Sequence, residues 1–393
     1  MINRTYIKCN TCNQPITLRV TIAQTKDPEY HFPCNNCGEE IVIGMAIDFE
    51  NVSFEYIYKN NCIPGNEEGH IVNLGAHIPI DESLIHKDGF SPFLTMDRSL
   101  FGTKKMPFSV PLQFKSNWEN LSKAWSQTLK GNKDLALLFL NKYKFIYIEQ
   151  ERGDLFDIIH DFCMYFLLPA PFRYIQSALL QIGEGIRMHP KEYNNFFDSL
   201  FIEDAFKNLF PKYLAITKTY MDNYDSLSPL LLYLQSEKEF KGDLTSSSFH
   251  FSSLKGFYGD IYELIADAFI FLACINNLNN ARPFDSFEQM DLIKYQTLDK
   301  ANRTNSFKAN KELIHFASEF NSKIRNASHH GNISLNGRII EYHAGRPLKK
   351  YEMTRGEYIK VINQIFINAL GILDILLYLN QIRKKFTGKS FII

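Results

Sequence analysis

Two Cys-x2-Cys pairs near the start of the chain, Cys9/Cys12 and Cys34/Cys37, constrain this sequence more than any other feature. A Cys-x2-Cys turn aims two thiolates at one point about 2.3 Å away, and two such turns complete a tetrahedron. Gly38 follows the second pair, where a tight turn favours glycine. Four cysteines in this arrangement predict one structural zinc ion per chain. All four positions around such an ion are filled by protein, so it has no open site for chemistry. Its role is to stand in for the core that a small module lacks, or to fix a surface that recognises nucleic acid or a partner. His31 lies nearby, but four thiolates already suffice. Cys62, Cys163 and Cys274 are scattered, and paired cysteines without an export signal read as metal ligands in a reducing cytosol. The expected location is therefore cytoplasmic.

The fold class expected is α+β, predominantly α-helical. Residues 1–60 read as the zinc ribbon, because Gln14–Ile22 and Glu40–Phe49 alternate apolar and polar positions and are rich in Ile and Val. Residues 61–112, with Gly65, Gly69, Gly75, Gly89 and the prolines Pro64, Pro79, Pro92 and Pro107 among them, read as a loop-rich linker or β cover. Residues 113–244 form a helical middle domain, in which Trp118, Leu121 and Trp125 have helical spacing, as do Leu179, Ile182 and Ile186. A polar, Ser-rich run at Lys241–Ser253 marks the boundary to a last helical domain, 245–393. Charge divides along the same line. Residues 1–244 carry 24 Lys and Arg against 30 Asp and Glu, and residues 245–393 carry 19 against 13. Only the last domain has the sign expected of a polyanion binder. The apolar stretch Val361–Leu379 contains Asn363, Gln364, Asn368 and Asp374, which reads as a core helix, so no membrane partner is expected.

Three helices are expected after the boundary, at roughly 254–280, 305–330 and 355–385. The second rests on Leu313, Phe316, Ala317, Phe320, Ile324 and Ala327 at i, i+3, i+4 spacing. Thr354 and Glu357 have the spacing of a capping box at the start of the third. Between the second and third, Ile333–His343 reads as a hairpin around Asn336-Gly337.

The second of these helices ends Ile324-Arg325-Asn326-Ala327-Ser328-His329-His330-Gly331. This segment resembles the R-x(4–6)-H signature of HEPN domains, a helical family that includes RNA-cutting toxins and defence nucleases. Arg325 and His330 match the signature pair, and Asn326 matches the polar residue that often follows the arginine. The resemblance covers residues 250–390 and is sharpest at 324–332. It implies a HEPN-like helical bundle and a metal-independent endoribonuclease with Arg325, Asn326 and His330 as catalytic residues. It further implies a homodimer or higher homo-oligomer, RNA (tRNA or mRNA) as partner, and a bacterial anti-phage or toxin role held silent until a trigger arrives. Catalysis would need no cofactor. His329 competes with His330, since it is i+4 from Arg325. A second match, Arg338 and His343, falls on the expected hairpin.

Asp157, His160 and Asp161, with Asp154 beside them, have the i, i+3, i+4 spacing of a metal site or of a solvated acidic first turn. The alternative function is a non-catalytic zinc-ribbon adaptor that binds RNA or protein and dimerises through the helical domain. A zinc-ribbon DNA-binding regulator fits less well with the acidic balance of residues 1–244.

Overall fold

Each Cys-x2-Cys pair sits at the tip of a β-hairpin. Strands β1 (Ile2–Cys9) and β2 (Pro15–Thr21) flank the first pair, and β3 (Glu29–Pro33) and β4 (Glu40–Asp48) flank the second. Three further strands follow: β5 (Ser53–Asn60), β6 (Cys62–Pro64) and β7 (His70–Leu74). They assemble into two sheets, of order β6-β1-β2-β7 and β3-β4-β5. The β2–β7 pair is parallel and the other pairs are antiparallel. Alternating residues from both sheets (Ile7, Leu18, Val20, Phe32, Ile43 and Met45 among them) bury into one core. The sheet structure therefore runs to Leu74, beyond the ribbon expected over 1–60, because β7 pairs with a strand about fifty residues earlier.

The computed structural model describes residues 2–21, 27–48, 53–75, 110–148, 153–235, 250–288, 290–337 and 339–388. Most of the expected loop-rich segment, the start of the Ser-rich boundary and Arg338 lie outside these residues. The helices are α1 (Val110–Leu129), α2 (Lys133–Leu140), α3 (Leu155–Leu167), α4 (Ala170–Met188), α5 (Pro190–Phe197), α6 (Leu200–Asp222), α7 (Tyr224–Gln235), α8 (Phe251–Leu254), α9 (Phe257–Asn279), α10 (Leu292–Gln296), α11 (Ser322–His329) and α12 (Arg355–Thr387). A three-stranded meander, β8 (Ile333–Asn336), β9 (Ile339–Ala344) and β10 (Lys349–Thr354), lies between the last two. Among the described residues the protein is thus mixed α+β, and mainly helical from Val110 onward.

The chain forms two compact units, each drawn from three stretches. One holds residues 1–111, 220–258 and 323–363, and the other holds 112–219, 259–322 and 364–393. In the first unit, Asn363 accepts from Tyr220 Oη at 2.5 Å and donates to the Leu227 carbonyl at 2.8 Å, while Tyr358 Oη donates to the Leu254 carbonyl at 3.2 Å. In the second, the buried Arg383 guanidinium donates to the Phe197 carbonyl at 2.9 Å and to Glu203 at 2.8 Å. The hydrogen bonds from Lys207 and Arg383 hold the Glu203 carboxyl down at about 2.

Two segments, Phe251–Asn279 and Arg355–Thr387, are long and apolar enough to cross a membrane, but 83% of the apolar window of each is buried within the protein. The polar residues that break the α12 pattern (Asn363, Asn368, Asp374 and Arg383) are buried and hydrogen-bonded.

The expectations for α9, α12 and the hairpin hold. Thr354 and Glu357 form the capping box, with Glu357 N–H to Thr354 Oγ1 at 3.2 Å and Thr354 N–H to Glu357 Oε2 at 2.6 Å. Asn336 pairs with Ile339, and Gly337 takes φ +59° between them. The long helix over 305–330 does not form. Turns of 3₁₀ helix at Lys300–Ser306 and Ile314–Ala317 replace it, and only α11 is α-helical. Asn310 accepts from the Glu312 and Leu313 N–H groups, which closes a side-chain turn. Ser318 is extended and Glu319 is left-handed, and the Asn368 side chain holds the break by donating to the Ser318 carbonyl at 2.8 Å and its hydroxyl at 3.0 Å.

Candidate functional site

The first site is the cysteine cluster. Cys9 N–H donates to the Gln14 carbonyl, and Asn13 N–H returns to the Cys9 carbonyl. Cys34 and Gly38 repeat the scheme, with Cys34 N–H to the Glu39 carbonyl and Gly38 N–H to the Cys34 carbonyl. In each knuckle the residue after the second cysteine is left-handed, Asn13 at φ +58° and Gly38 at φ +77°. Asn and Gly are the residues that reach this region at least cost, so both knuckles obey one rule in two spellings. The four Sγ atoms lie within 4.8 Å of one another, with Cys9–Cys37 at 3.7 Å and Cys12–Cys34 at 3.6 Å. A tetrahedron with 2.3 Å arms has an edge of about 3.8 Å, so the thiols stand where one metal ion requires them.

The surroundings favour thiolate at Cys12 and oppose it at Cys34. Asn61 Nδ2 reaches Cys9 Sγ at 3.5 Å, and its Oδ1 accepts from Thr11 N–H at 3.0 Å and Thr11 Oγ1 at 2.8 Å. A hydrogen bond from the Asn36 side chain brings the Cys12 thiol down to about 6, while burial pushes Cys34 up to about 12. His31 is not a ligand: its Nε2 meets Glu29 at 2.8 Å and its Nδ1 meets Glu40 at 3.3 Å.

The second site is the end of α11. Ile324, Ala327 and Ser328 are buried, while Asn326, His329 and His330 are exposed and Arg325 is half-buried. Gly331 at φ +70° ends the helix, and Asn332 N–H reaches the Ala327 carbonyl at 2.9 Å, the six-to-one bond of a Schellman cap. The Asn326 Oδ1 accepts from Arg325 Nη1 at 2.8 Å. The chain then enters the meander, where Lys323 Nζ lies 4.5 Å from the Tyr351 ring centroid and Tyr351 stacks on Tyr342 at 5.3 Å. Within this unit the meander turn approaches the second knuckle, since a Cβ built on Gly38 would lie 3.9 Å from Gly337 Cα. Glu263 and Asp267 on α9 pair with Lys300, and Asp267 also with Lys212 and Arg303.

The acidic group on α3 is structural throughout. Asp154 and Asp157 form a capping box. The Asp161 carboxylate is fully buried, and Oδ1 accepts from the N–H groups of Tyr147 at 2.7 Å and Ile148 at 2.9 Å. Its Oδ2 accepts from Ile146 N–H and Tyr143 Oη, both at 3.0 Å. His160 Nδ1 is bonded to the buried Asp374. Among the described residues, the four cysteines are the only group of three or more placed to share a metal.

Burial by itself would lower the His160 pKa, but the Asp374 hydrogen bond and the charges of Asp374, Asp161 and Asp157 outweigh it and raise it. Stability from this pair is therefore complete below the unfolded imidazole value of about 6.5 and is lost as pH rises through the higher folded value. Urea midpoints taken from about pH 6 to about pH 9 are expected to fall for the wild type. They are expected to fall less for Asp374→Asn, and an unchanged slope in that variant would remove His160 as the cause.

Comparison of the chain with protein-family models, curated proteins and solved structures finds no match.

Proposed function

We propose that this chain is a metal-independent endoribonuclease of the HEPN type, with Arg325, Asn326 and His330 as its catalytic residues. The observation that carries the reading is the end of α11: a guanidinium braced by its neighbour's amide, five residues before an exposed imidazole at a Schellman-capped turn. Cleavage of this kind removes a proton from a ribose 2′-OH, which attacks the adjacent phosphate. It expels a 5′-oxygen that takes up a proton. Imidazole suits either transfer near neutral pH. The Arg325 fork stabilises the extra negative charge on the five-coordinate phosphorus. The products are a 2′,3′-cyclic phosphate and a 5′-OH. Two copies of α11 meeting across a homodimer complete the site, and a trigger from infection or stress releases it.

In this reading the cysteine cluster holds one structural zinc ion. Four thiolates in tetrahedral array suit zinc, and tetrahedral sulfur sites otherwise hold iron.

The decisive experiment is cleavage of total RNA, tRNA and mRNA by zinc-loaded protein with EDTA in the assay, folding being checked by circular dichroism. The wild type is expected to leave 2′,3′-cyclic phosphate ends. Arg325→Ala and His330→Ala are each expected to lower the rate by about 10² to 10⁴. His329→Ala separates the two histidines. Equal cleavage by all variants would remove the assignment. Intact RNA with folded, dimeric protein would move the weight to the adaptor reading. That reading draws on the exposed knuckle residues Asn10, Thr11, Asn35 and Asn36 as a recognition surface.

A further inference from the structure

Helix α2 is inside out. Its sequence is Lys-Asp-Leu-Ala-Leu-Leu-Phe-Leu, and the residue it buries is Ala136. Leu135, Leu137 and Leu138 are 48%, 55% and 49% exposed. At about 100° per residue these three leucines spread over an arc of about 160°, centred opposite Ala136. An ordinary surface helix turns its large apolar side chains inward and its polar ones out. Here the fully buried residue is the small one, and three of the five large ones face away while Phe139 and Leu140 are half-buried.

The helix is also held firmly at both ends. Gly131 at φ +77° turns the chain out of α1, and the Asn132 amide is fixed to Gln127 by backbone and side-chain hydrogen bonds at 2.9 and 2.8 Å. Just after α2, the Asp161 carboxylate grips Tyr143 and the backbone of residues 146–148. The exposure of the leucines is therefore a property of a braced element.

Lysines flank the leucines along the chain. Lys123, Lys130, Lys133, Lys142 and Lys144 are all exposed, and Asp134 is the one acidic residue between positions 123 and 144. Lys123 and Lys142 both lie 5.6 Å from the centroid of the Phe139 ring. This local excess of positive charge sits in the part of the chain, residues 1–244, where acidic residues outnumber basic ones.

We infer that α2 is a docking element for an anionic lipid bilayer, its leucines entering the acyl boundary and its lysines meeting headgroup phosphates. Apolar side chains backed by lysine are the two terms that hold a helix in the plane of a membrane surface. A second copy of this chain would set like-charged lysines against each other. Nucleic acid would satisfy the lysines and leave the leucines in water. The contact is with the surface and spans nothing, and it departs from the absence of a membrane partner expected from the sequence. It is independent of the nuclease reading.

The test uses the full chain with vesicles of phosphatidylcholine alone and vesicles that also carry phosphatidylserine. Wild type is expected to sediment with the phosphatidylserine vesicles, at least about tenfold more than with the neutral ones and less as salt rises. The double variant Leu137→Glu/Leu138→Glu, placed on exposed positions and checked for fold by circular dichroism, is expected to lose that binding. Lys133→Glu/Lys142→Glu is expected to lose the preference for the charged lipid. Folded wild type that stays in the supernatant, or binding unchanged by the leucine substitutions, overturns the proposal. Sedimentation velocity without lipid covers the remaining case. Self-association that disappears in the leucine variant would make this face a contact between copies and would overturn it equally.

Discussion

Cys34→Ser is expected to strip the metal from the protein and unfold the two N-terminal sheets. Cys9 and Cys34 are not surface ligands attached to a finished fold, because both are members of the core that the sheets share. That core is small, and the β-module it serves ends at Leu74. Modules of this size rarely hold themselves together without a staple. A tetrahedral thiolate site contributes on the order of 10 kcal/mol or more to such a fold, so loss of one ligand removes most of what holds the hairpins in register. Metal analysis is expected to give one zinc per wild-type chain and close to none for the variant, with strand signal lost in circular dichroism. Chelation at mildly acidic pH should reproduce the effect. Cys62→Ser is the control. This thiol is also buried and reaches the Val42 carbonyl at 3.5 Å, but it is no ligand. Its replacement should cost about 1–2 kcal/mol and leave the metal in place. If Cys34→Ser keeps its metal and its strands, the cluster is not the staple.

Asp161→Ala is expected to destabilise the second unit by about 3–5 kcal/mol. The carboxylate accepts from three successive backbone N–H groups and one hydroxyl, all facing a buried atom pair. Such a concave run of N–H groups is an anion nest, and here the anion is the protein's own side chain. Removing the side chain leaves those donors to find water, so the loop from Tyr143 to Ile148 should loosen as the stability falls. Asp161→Asn is the sharper variant. It has nearly the same shape and can keep the Oδ1 contacts. Its amide nitrogen would then face the Ile146 N–H, two donors against each other. An asparagine variant as stable as wild type would show that shape, not charge and acceptor count, holds the loop. Urea unfolding together with hydrogen exchange at residues 146–148 reads both effects.

The cysteine knuckles, the Asn-Gly hairpin and the Thr354–Glu357 cap were legible because each is fixed within a few residues of chain. The helix expected over 305–330 was not. Leu313, Phe316, Ala317 and Phe320 keep an i, i+3, i+4 rhythm, but a 3₁₀ turn buries i and i+3 as well as an α-helix does. The choice was made from a distance by Asn368, which grips Ser318 from α12. Strand β7 escaped for the same kind of reason, since its partner is β2 and its pairing is parallel. The α3 acids could be read only as a cluster, because nothing local announces that Asp161 closes a loop and His160 meets Asp374. Asn13 could have been found: it occupies the position in the first knuckle that Gly38 occupies in the second.

The three-stretch make-up of each unit sets the order in which this protein can be made and how it can be cut. The chain passes from one unit to the other five times, the last time after residue 363. On the ribosome, the hairpins of the first 75 residues emerge early and can capture their metal. The unit they belong to remains incomplete until residues 323–363 have been translated. The same interleaving governs expression fragments. A piece covering 245–393, the natural choice for isolating Arg325 and His330, carries parts of both units and the whole of neither. It should be insoluble where the full chain is not.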